Sequence, residues 1–178
     1  LINNFVNDSG FSDFFGSGVT LDSCVKTNLV NTQILNNNYG IYLDGISHDN
    51  VVRDSLIFNS TNNDIYSYTD PFYGSNTLLN TTFNKSKIFM DDGLLFVQWY
   101  LDVNVINKSN SPLQNVNISV WNNTNNLIFT ELTNSIGDIG RKNLTEFFAN
   151  STAEYYATNY TINATLSPYQ NKSIRLNL

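Results

Sequence analysis

Chemistry-bearing side chains are scarce in this chain: 178 residues include one cysteine, one histidine and one methionine, with nine Lys and Arg against fifteen Asp and Glu. The single cysteine, Cys24, cannot form an intramolecular disulfide and reads as a small core residue. With His48 alone, any Ser-His-Asp arrangement would have to be built on it, and a zinc or copper site lacks the imidazole and thiolate ligands it needs. No nucleophile elbow, phosphate loop or zincin motif is present in the sequence. A net charge of −6 with no basic cluster leaves no footprint for a phosphate backbone, so nucleic acid is not an expected partner. The longest apolar stretch, residues 93–101, contains Gln98 and is far too short to span a bilayer, so no transmembrane segment is expected in the chain. The sequence starts at Leu1 with neither an initiator Met nor a signal peptide, and is expected to be an excerpt from a longer precursor.

Asparagine is what the chain has in plenty. Charged residues make up 13%, about half the usual share, and 31 asparagines supply much of the missing polarity. Twelve Asn-x-Ser/Thr sequons occur, eleven of them from Asn59 onward, where random order of the same residues predicts about four. Those eleven are Asn59, Asn80, Asn84, Asn107, Asn117, Asn122, Asn143, Asn150, Asn159, Asn163 and Asn171. A glycan needs an exposed acceptor and a chain that has left the cytosol, so the excess points to an extracellular, N-glycosylated surface protein. Compositional bias is the alternative source of sequons.

The first half repeats. Residues 18–37 align without gaps on residues 40–59 at an offset of 22, with six of twenty positions identical, where composition predicts about one to two. The identities are Gly18/Gly40, Leu21/Leu43, Asp22/Asp44, Asn28/Asn50, Val30/Val52 and Asn37/Asn59. Ile34/Leu56, Leu35/Ile57 and Cys24/Ile46 fall opposite one another and are expected to face inward. A third copy follows, with Ile65 and Tyr66 matching Ile41 and Tyr42, residues 76–83 matching 50–57, and residues 71–74 as an extra loop. Before the first copy, residues 1–4 match 34–37. Such a repeat is too short for paired helices, its apolar residues come in pairs or alternate between Gly and Asn, and no copy can close a core alone, so strands must stack into a solenoid. Asn28, Asn50 and Asn76 are expected to form an amide ladder along one turn, and Gly18 and Gly40 to supply a positive φ before the strand.

Residues 1–87, with a coil such as GIYLDGISHDNVVRDSLIFN at 40–59, resemble the right-handed parallel β-helix (pectin-lyase-like) repeat proteins. The resemblance implies a fold more than an activity, because that group includes polysaccharide lyases, a copper-maturation group and surface proteins without known catalysis.

From residue 88 the pattern changes to ordinary strand alternation: Leu95 to Val105, Val116 to Val120, Tyr160 to Leu166 and Ile174 to Leu178, separated by turn signals. With residues 127–132 and a strand around Glu146 this makes six or seven strands, the pattern of a β-sandwich over residues 88–178. Residues 101–140 resemble the carboxypeptidase-regulatory or transthyretin-like sandwiches, with Pro112-Leu113, Val116 to Val120, Thr133 and Gly137 in the expected places; an immunoglobulin-like sandwich is the alternative. Strand parity puts Asn117, Asn159, Asn163 and Asn171 on the outer face.

For catalysis the candidates are Asp44, His48, Asp49 and Arg53, with Asp54 and the stacked Asp22 nearby. The resemblance implies carboxylates for Ca²⁺ or acid chemistry and a basic residue for proton transfer, whereas turn chemistry alone also accounts for Asp and His before Asn50. Asp91 and Asp92 are weak Ca²⁺ candidates, and no other cofactor is expected. Trp121 is the one aromatic expected to be exposed. The expectation is therefore an all-β chain, coils then sandwich, from an exported and archaeal-type cell-surface glycoprotein, without catalysis of its own. Its partners would be surface polysaccharide or other surface proteins. The alternative is a polysaccharide-binding or polysaccharide-cleaving protein whose active coils lie upstream.

Overall fold

The computed structural model of the protein describes residues 5–7 and 16–178. It is all-β, with about four turns of a solenoid. Contacts divide the chain into two compact units, Leu1–Gln98 with Phe147–Tyr155, and Trp99–Glu146 with Tyr156–Leu178.

In chain order the strands are β1 (Phe5–Asn7), β2 (Ser17–Asp22), β3 (Asn28–Val30), β4 (Gln33–Leu35), β5 (Tyr39–Gly45), β6 (Val51–Arg53), β7 (Leu56–Phe58), β8 (Asn63–Thr69) and β9 (Asn76–Leu79). After a 3₁₀ turn at Lys85–Lys87 come β10 (Ile88–Asp92), β11 (Leu95–Leu101), β12 (Asn117–Trp121), β13 (Leu127–Leu132), β14 (Lys142–Ala149), β15 (Glu154–Tyr156), β16 (Tyr160–Thr165) and β17 (Lys172–Leu176).

The first unit is built by parallel pairing from coil to coil. β2, β5, β8 and β10 form one sheet, β1, β4 and β7 a second, and β3, β6, β9 and β11 run side by side in a third. Parallel pairing in register places like residues above like. Leu29, Val52, Leu78 and Val97 stand in one inward column, Ile34 and Ile57 in another, and Val19, Ile41 and Ile65 in a third. All nine are buried, and Leu29, Ile34, Ile41, Ile57 and Ile65 have no solvent exposure at all. Strands of three to seven residues suffice because each coil closes its core only against its neighbours.

The repeat is not gapless. Its offset is 22 in β2/β5, where Val19 pairs with Ile41, but 23 in β3/β6 and β4/β7, where Leu29 pairs with Val52 and Ile34 with Ile57. The second coil carries one extra residue in the turn after Gly45. Cys24 therefore lies against Ser47, whose hydroxyl accepts its backbone N–H at 3.0 Å, and Ile46 is bulged outward and 43% exposed. The identities Asn28/Asn50, Val30/Val52 and Asn37/Asn59 are coincidences of a shifted frame. Before the first copy, Val6 rather than Leu1 pairs with Ile34; residues 1–4 lie outside the described residues.

The glycines work differently from the expectation too. Neither Gly18 nor Gly40 has a positive φ. Each sits in its strand where a Cβ would stand 2.3 Å from an isoleucine Cγ2, that of Ile34 and Ile57 respectively, so close packing excludes a side chain there. Positive φ falls instead on Ser23, Lys26 and Gly45 in the turns after the first sheet and on asparagine and aspartate at the other coil corners: Asn31, Asp54 and Asn80 at 50°, 55° and 49°, and Asn36 and Asn59 at 55° and 60°. The short polar side chains of asparagine and aspartate tolerate the left-handed region better than other residues with a Cβ.

In the second unit β13, β12, β16 and β17 form an antiparallel sheet in that order. The strand expected over residues 95–105 ends at Leu101, and the segment beyond it makes single bridges, Asn104 with Asp138 and Ile106 with Pro112. Leu101, Val116, Ile118, Val120, Ile139, Leu144 and Tyr160 form the core. Buried Thr133 ties two segments together, its hydroxyl donating to the Leu113 carbonyl at 2.6 Å and accepting the Val116 N–H at 3.0 Å. Tyr160 donates to the Thr145 carbonyl at 2.7 Å, and burial raises its pKa.

Candidate functional site

The sequons are the most numerous candidate sites, and their geometry differs from one to another. In Asn84, Asn107, Asn122 and Asn150 the side-chain Oδ1 accepts the backbone N–H two residues on, at 3.1 Å from Ser86, 2.8 Å from Ser109, 3.1 Å from Thr124 and 2.9 Å from Thr152. In three of them it also accepts the hydroxyl of that same Ser or Thr, at 2.8 Å, 2.9 Å and 2.7 Å for Ser86, Thr124 and Thr152. This is the Asx-turn, in which an Asn side chain closes a turn on its own backbone. The carbonyl end is held and the amide nitrogen, the atom a glycan would join, donates no hydrogen bond among the described residues.

Three other sequons commit that nitrogen. Asn59 Nδ2 donates to Asn36 Oδ1 at 2.7 Å, Asn80 Nδ2 donates to Asp54 Oδ1 at 2.8 Å, and Asn117 Nδ2 lies 3.5 Å from Ser119 Oγ while its Oδ1 accepts from Thr130 at 2.7 Å. The first two are corner residues of the solenoid, so the coil itself accounts for asparagine there. Asn143, Asn159 and Asn171 are exposed, and Asn163 is half-buried on the strand β16. The twelfth sequon, at Asn7, is in β1, and its side chain lies outside what is described.

The amide ladder has two asparagines rather than three. Asn50 Nδ2 donates to Asn76 Oδ1 at 3.0 Å and to the Cys24 carbonyl at 2.8 Å, and Asn76 Nδ2 donates to the Ser47 carbonyl at 2.9 Å. Both are buried. On the first coil the place belongs to Thr27, whose N–H donates to Asn50 Oδ1 at 2.7 Å; Asn28 is exposed, one residue along, because of the shifted frame.

The candidate catalytic group is spread over three parts of the coil. Asp44 is the penultimate residue of β5, where its Oδ1 accepts the Gly45 N–H at 2.8 Å. His48 and Asp49 occupy the next turn, with His48 Nδ1 3.2 Å from Asp49 Oδ2 and the His48 ring stacked on Tyr73 at 6.1 Å. Arg53 ends β6 and pairs with its neighbour Asp54 at 3.1 Å. Asp44 and Arg53 are thus each satisfied by a neighbour in the chain, while the buried His48 Nδ1 makes no hydrogen bond among the described residues. Asp92 Oδ1 accepts the Gly93 N–H at 2.8 Å, and Asp91 stands at an irregularity in β10 pairing. Among the described residues no three His, Cys, Asp or Glu side chains gather as a metal-ion site.

Three features escape reading from the sequence. Tyr42, Tyr66 and Phe89 stack along the outer face of the first sheet, with ring centroids 4.7 Å and 5.1 Å apart. Stacked rings hide their faces from solvent, so the column supports the coils rather than offering platforms for sugar rings. Burial, then mutual repulsion of the tyrosinates, raises the pKa of Tyr42, and burial followed by Asp91 raises that of Tyr66. The Tyr42/Tyr66 match in the repeat was the available signal. Glu146, buried, accepts the Trp99 indole N–H at 2.8 Å. Buried Asp64 accepts the Asn84 N–H at 2.7 Å through one carboxylate oxygen. Nothing in the sequence marks those two carboxylates as different from exposed ones. Trp121 is half-buried; the most exposed aromatic among the described residues is Phe72, at 88%, on the loop before Gly74 with Tyr73 edge-on to it.

Compared with protein-family models, with curated proteins and with solved structures, the chain matches none. The candidate sites therefore rest on geometry alone.

Proposed function

We propose that the chain is a structural or adhesive module of an exported, N-glycosylated cell-surface protein. Its coils, read as right-handed, form a stiff rod, and its second unit is read as an immunoglobulin-like or transthyretin-like β-sandwich acting as a spacer. The observation that carries this reading is the sorting of asparagines by burial. Asn37, Asn50 and Asn76 are buried and none begins a sequon, whereas Asn59 and the ten sequon asparagines after it are all exposed or half-exposed. Four of those eleven also hold the amide nitrogen free on an Asx-turn. Glycans on such positions would shield the backbone edges of the sheets from proteases and from pairing with other chains.

The test is the intact mass of the protein purified from its own source, before and after enzymatic or chemical removal of N-glycans. A mass above that of the sequence, falling on deglycosylation, supports export and glycosylation. A mass equal to that of the bare chain contradicts it. A second reading, attachment to a surface polysaccharide, is favoured by Phe72, Tyr73 and Tyr68, which are exposed on and beside one coil loop. Retention on an insoluble polysaccharide that is lost in Phe72→Ala would support that reading.

A further inference from the structure

The second unit contains an apolar cavity of about 560 Å³ that opens to solvent between β16 and β17 on one side and the irregular segment after β11 on the other. Its floor is core: Val116 and Ile118 are almost fully buried. Its wall is not, because Ile162 and Ala164 of β16 are only half-buried and Ile174 of the edge strand β17 is 53% exposed. Ile162 pairs with Ile174 and Ala164 with Lys172, so these four side chains share one face of the sheet. An apolar face left open at this size is the usual form of a small-molecule site.

The charge around the opening says what kind of molecule it suits. The protein as a whole is acidic, with fifteen Asp and Glu against nine Lys and Arg, yet the cavity lining contains no carboxylate and two lysines, Lys108 and Lys172. Both are exposed, and neither has an acidic partner among the described residues. A lysine on the inner face of the sheet can lay its methylenes along the apolar wall and keep its ammonium at the water boundary. An apolar trough with ammonium groups at its mouth is complementary to a chain with an anionic head.

From this geometry we infer that the second unit binds a single-chain anionic amphiphile, its alkyl chain in the trough over Ile118 and Ala164 and its carboxylate between Lys108 and Lys172. The inference does not depend on glycosylation. Asn107 and Asn171 precede the two lysines, so glycan-free recombinant protein is the right material for the test.

The probe is 11-(dansylamino)undecanoate, followed by its fluorescence, with displacement by laurate and by the uncharged decanol. Saturable binding of one probe per chain, displaced by laurate, is expected. In Lys108→Glu/Lys172→Glu, laurate should bind at least tenfold more weakly while decanol is little changed. Ala164→Phe, which fills the trough, should weaken both, with its melting curve confirming that the unit folds. The inference is overturned by three results: no saturable binding; equal laurate affinity in the charge-reversed protein, which would leave Lys172 as a guard against edge pairing; or a concentration-dependent dimer in sedimentation that excludes the probe, which would make the trough an interface between copies.

Discussion

In the coils, Asn36, Asn59 and Asn80 take the left-handed corners and Asn50 and Asn76 bond one coil to the next, whereas in the second unit Asn107 and Asn122 close turns on themselves and leave their amide nitrogens unengaged. The same residue type answers two demands. A parallel solenoid needs a residue at each corner that tolerates positive φ, and it needs side chains that satisfy buried backbone groups where the chain turns. The second unit meets the first demand with Asn110, Asn115, Asn125 and Asn159 in its turns and the second with Thr133, so Asn107 and Asn122 are left free of both. The sequon excess is therefore partly structural in the first unit, and its argument for export is strongest at Asn84, Asn107, Asn122 and Asn150.

The two units also differ in how completely they are sealed, and the largest expected effect follows from that. Ile41 is wholly buried between Val19 and Ile65, so Ile41→Ala should cost about 2–5 kcal/mol. Ile174→Ala, half open to water, should cost well under half as much. Urea titration of each variant, with hydrogen exchange to assign the loss to one unit, checks the pair. Equal costs would mean that the second unit is sealed in solution as tightly as the coils.

Next in size is the ladder. Asn76→Ala strands the buried Asn50 amide and the Ser47 carbonyl and should cost about 1–3 kcal/mol, while Asn28→Ala should stay within about 0.5 kcal/mol. A double-mutant cycle between Asn50 and Asn76 should give a coupling of at least about 0.5 kcal/mol. Additive effects would break the claim that the coils are stitched by side-chain amides.

A corner asparagine should matter less, and an outer-face one least. Asn80→Ala forces a β-carbon without a polar side chain into φ near 49° and should cost about 1–2 kcal/mol; Asn163→Ala should be nearly neutral. Thermal melts of the two variants against the parent decide between structural and surface asparagine.

Alkaline pH offers a comparison without mutation. Burial raises the pKa of Tyr42 and Tyr66 in the coils and of Tyr160 in the second unit, so the folded protein favours their neutral forms. Their contribution to stability is full below about pH 10, the unfolded tyrosine value, and is lost as pH rises through their higher folded values. The tyrosinate absorbance of these three should therefore rise only above the ordinary tyrosine value, and unfolding should accompany their ionisation. A single titration at the ordinary tyrosine value would contradict this.

Much of the coil was legible in the sequence because solenoid stacking repeats its requirements: Ile41/Ile65, Tyr42/Tyr66 and Asn50/Asn76 recur where the structure pairs them or bonds them. The frame slipped where one residue was added after Gly45. Identity counting absorbed Ile46 as a core residue, although an exposed turn accommodates an isoleucine at little cost. Gly18 and Gly40 were legible as special, but not whether the reason was φ or space, since either selects glycine. In the second unit the alternation of Val116 to Val120 and Tyr160 to Leu166 marked strands and their faces. It gave no sign that the segment beyond Leu101 stops pairing as a strand, and so none of the open trough.

Site-resolved glycopeptide mass spectrometry of the protein from its own source tests the central claim most directly. The account predicts glycans on Asn84, Asn107, Asn122 and Asn150, with lower occupancy at Asn59 and Asn80, where the amide nitrogen is held by the next coil corner. Bare asparagines at all four Asx-turn sites on exported protein would contradict it, and would reduce the sequons to the composition of a chain whose coils require asparagine.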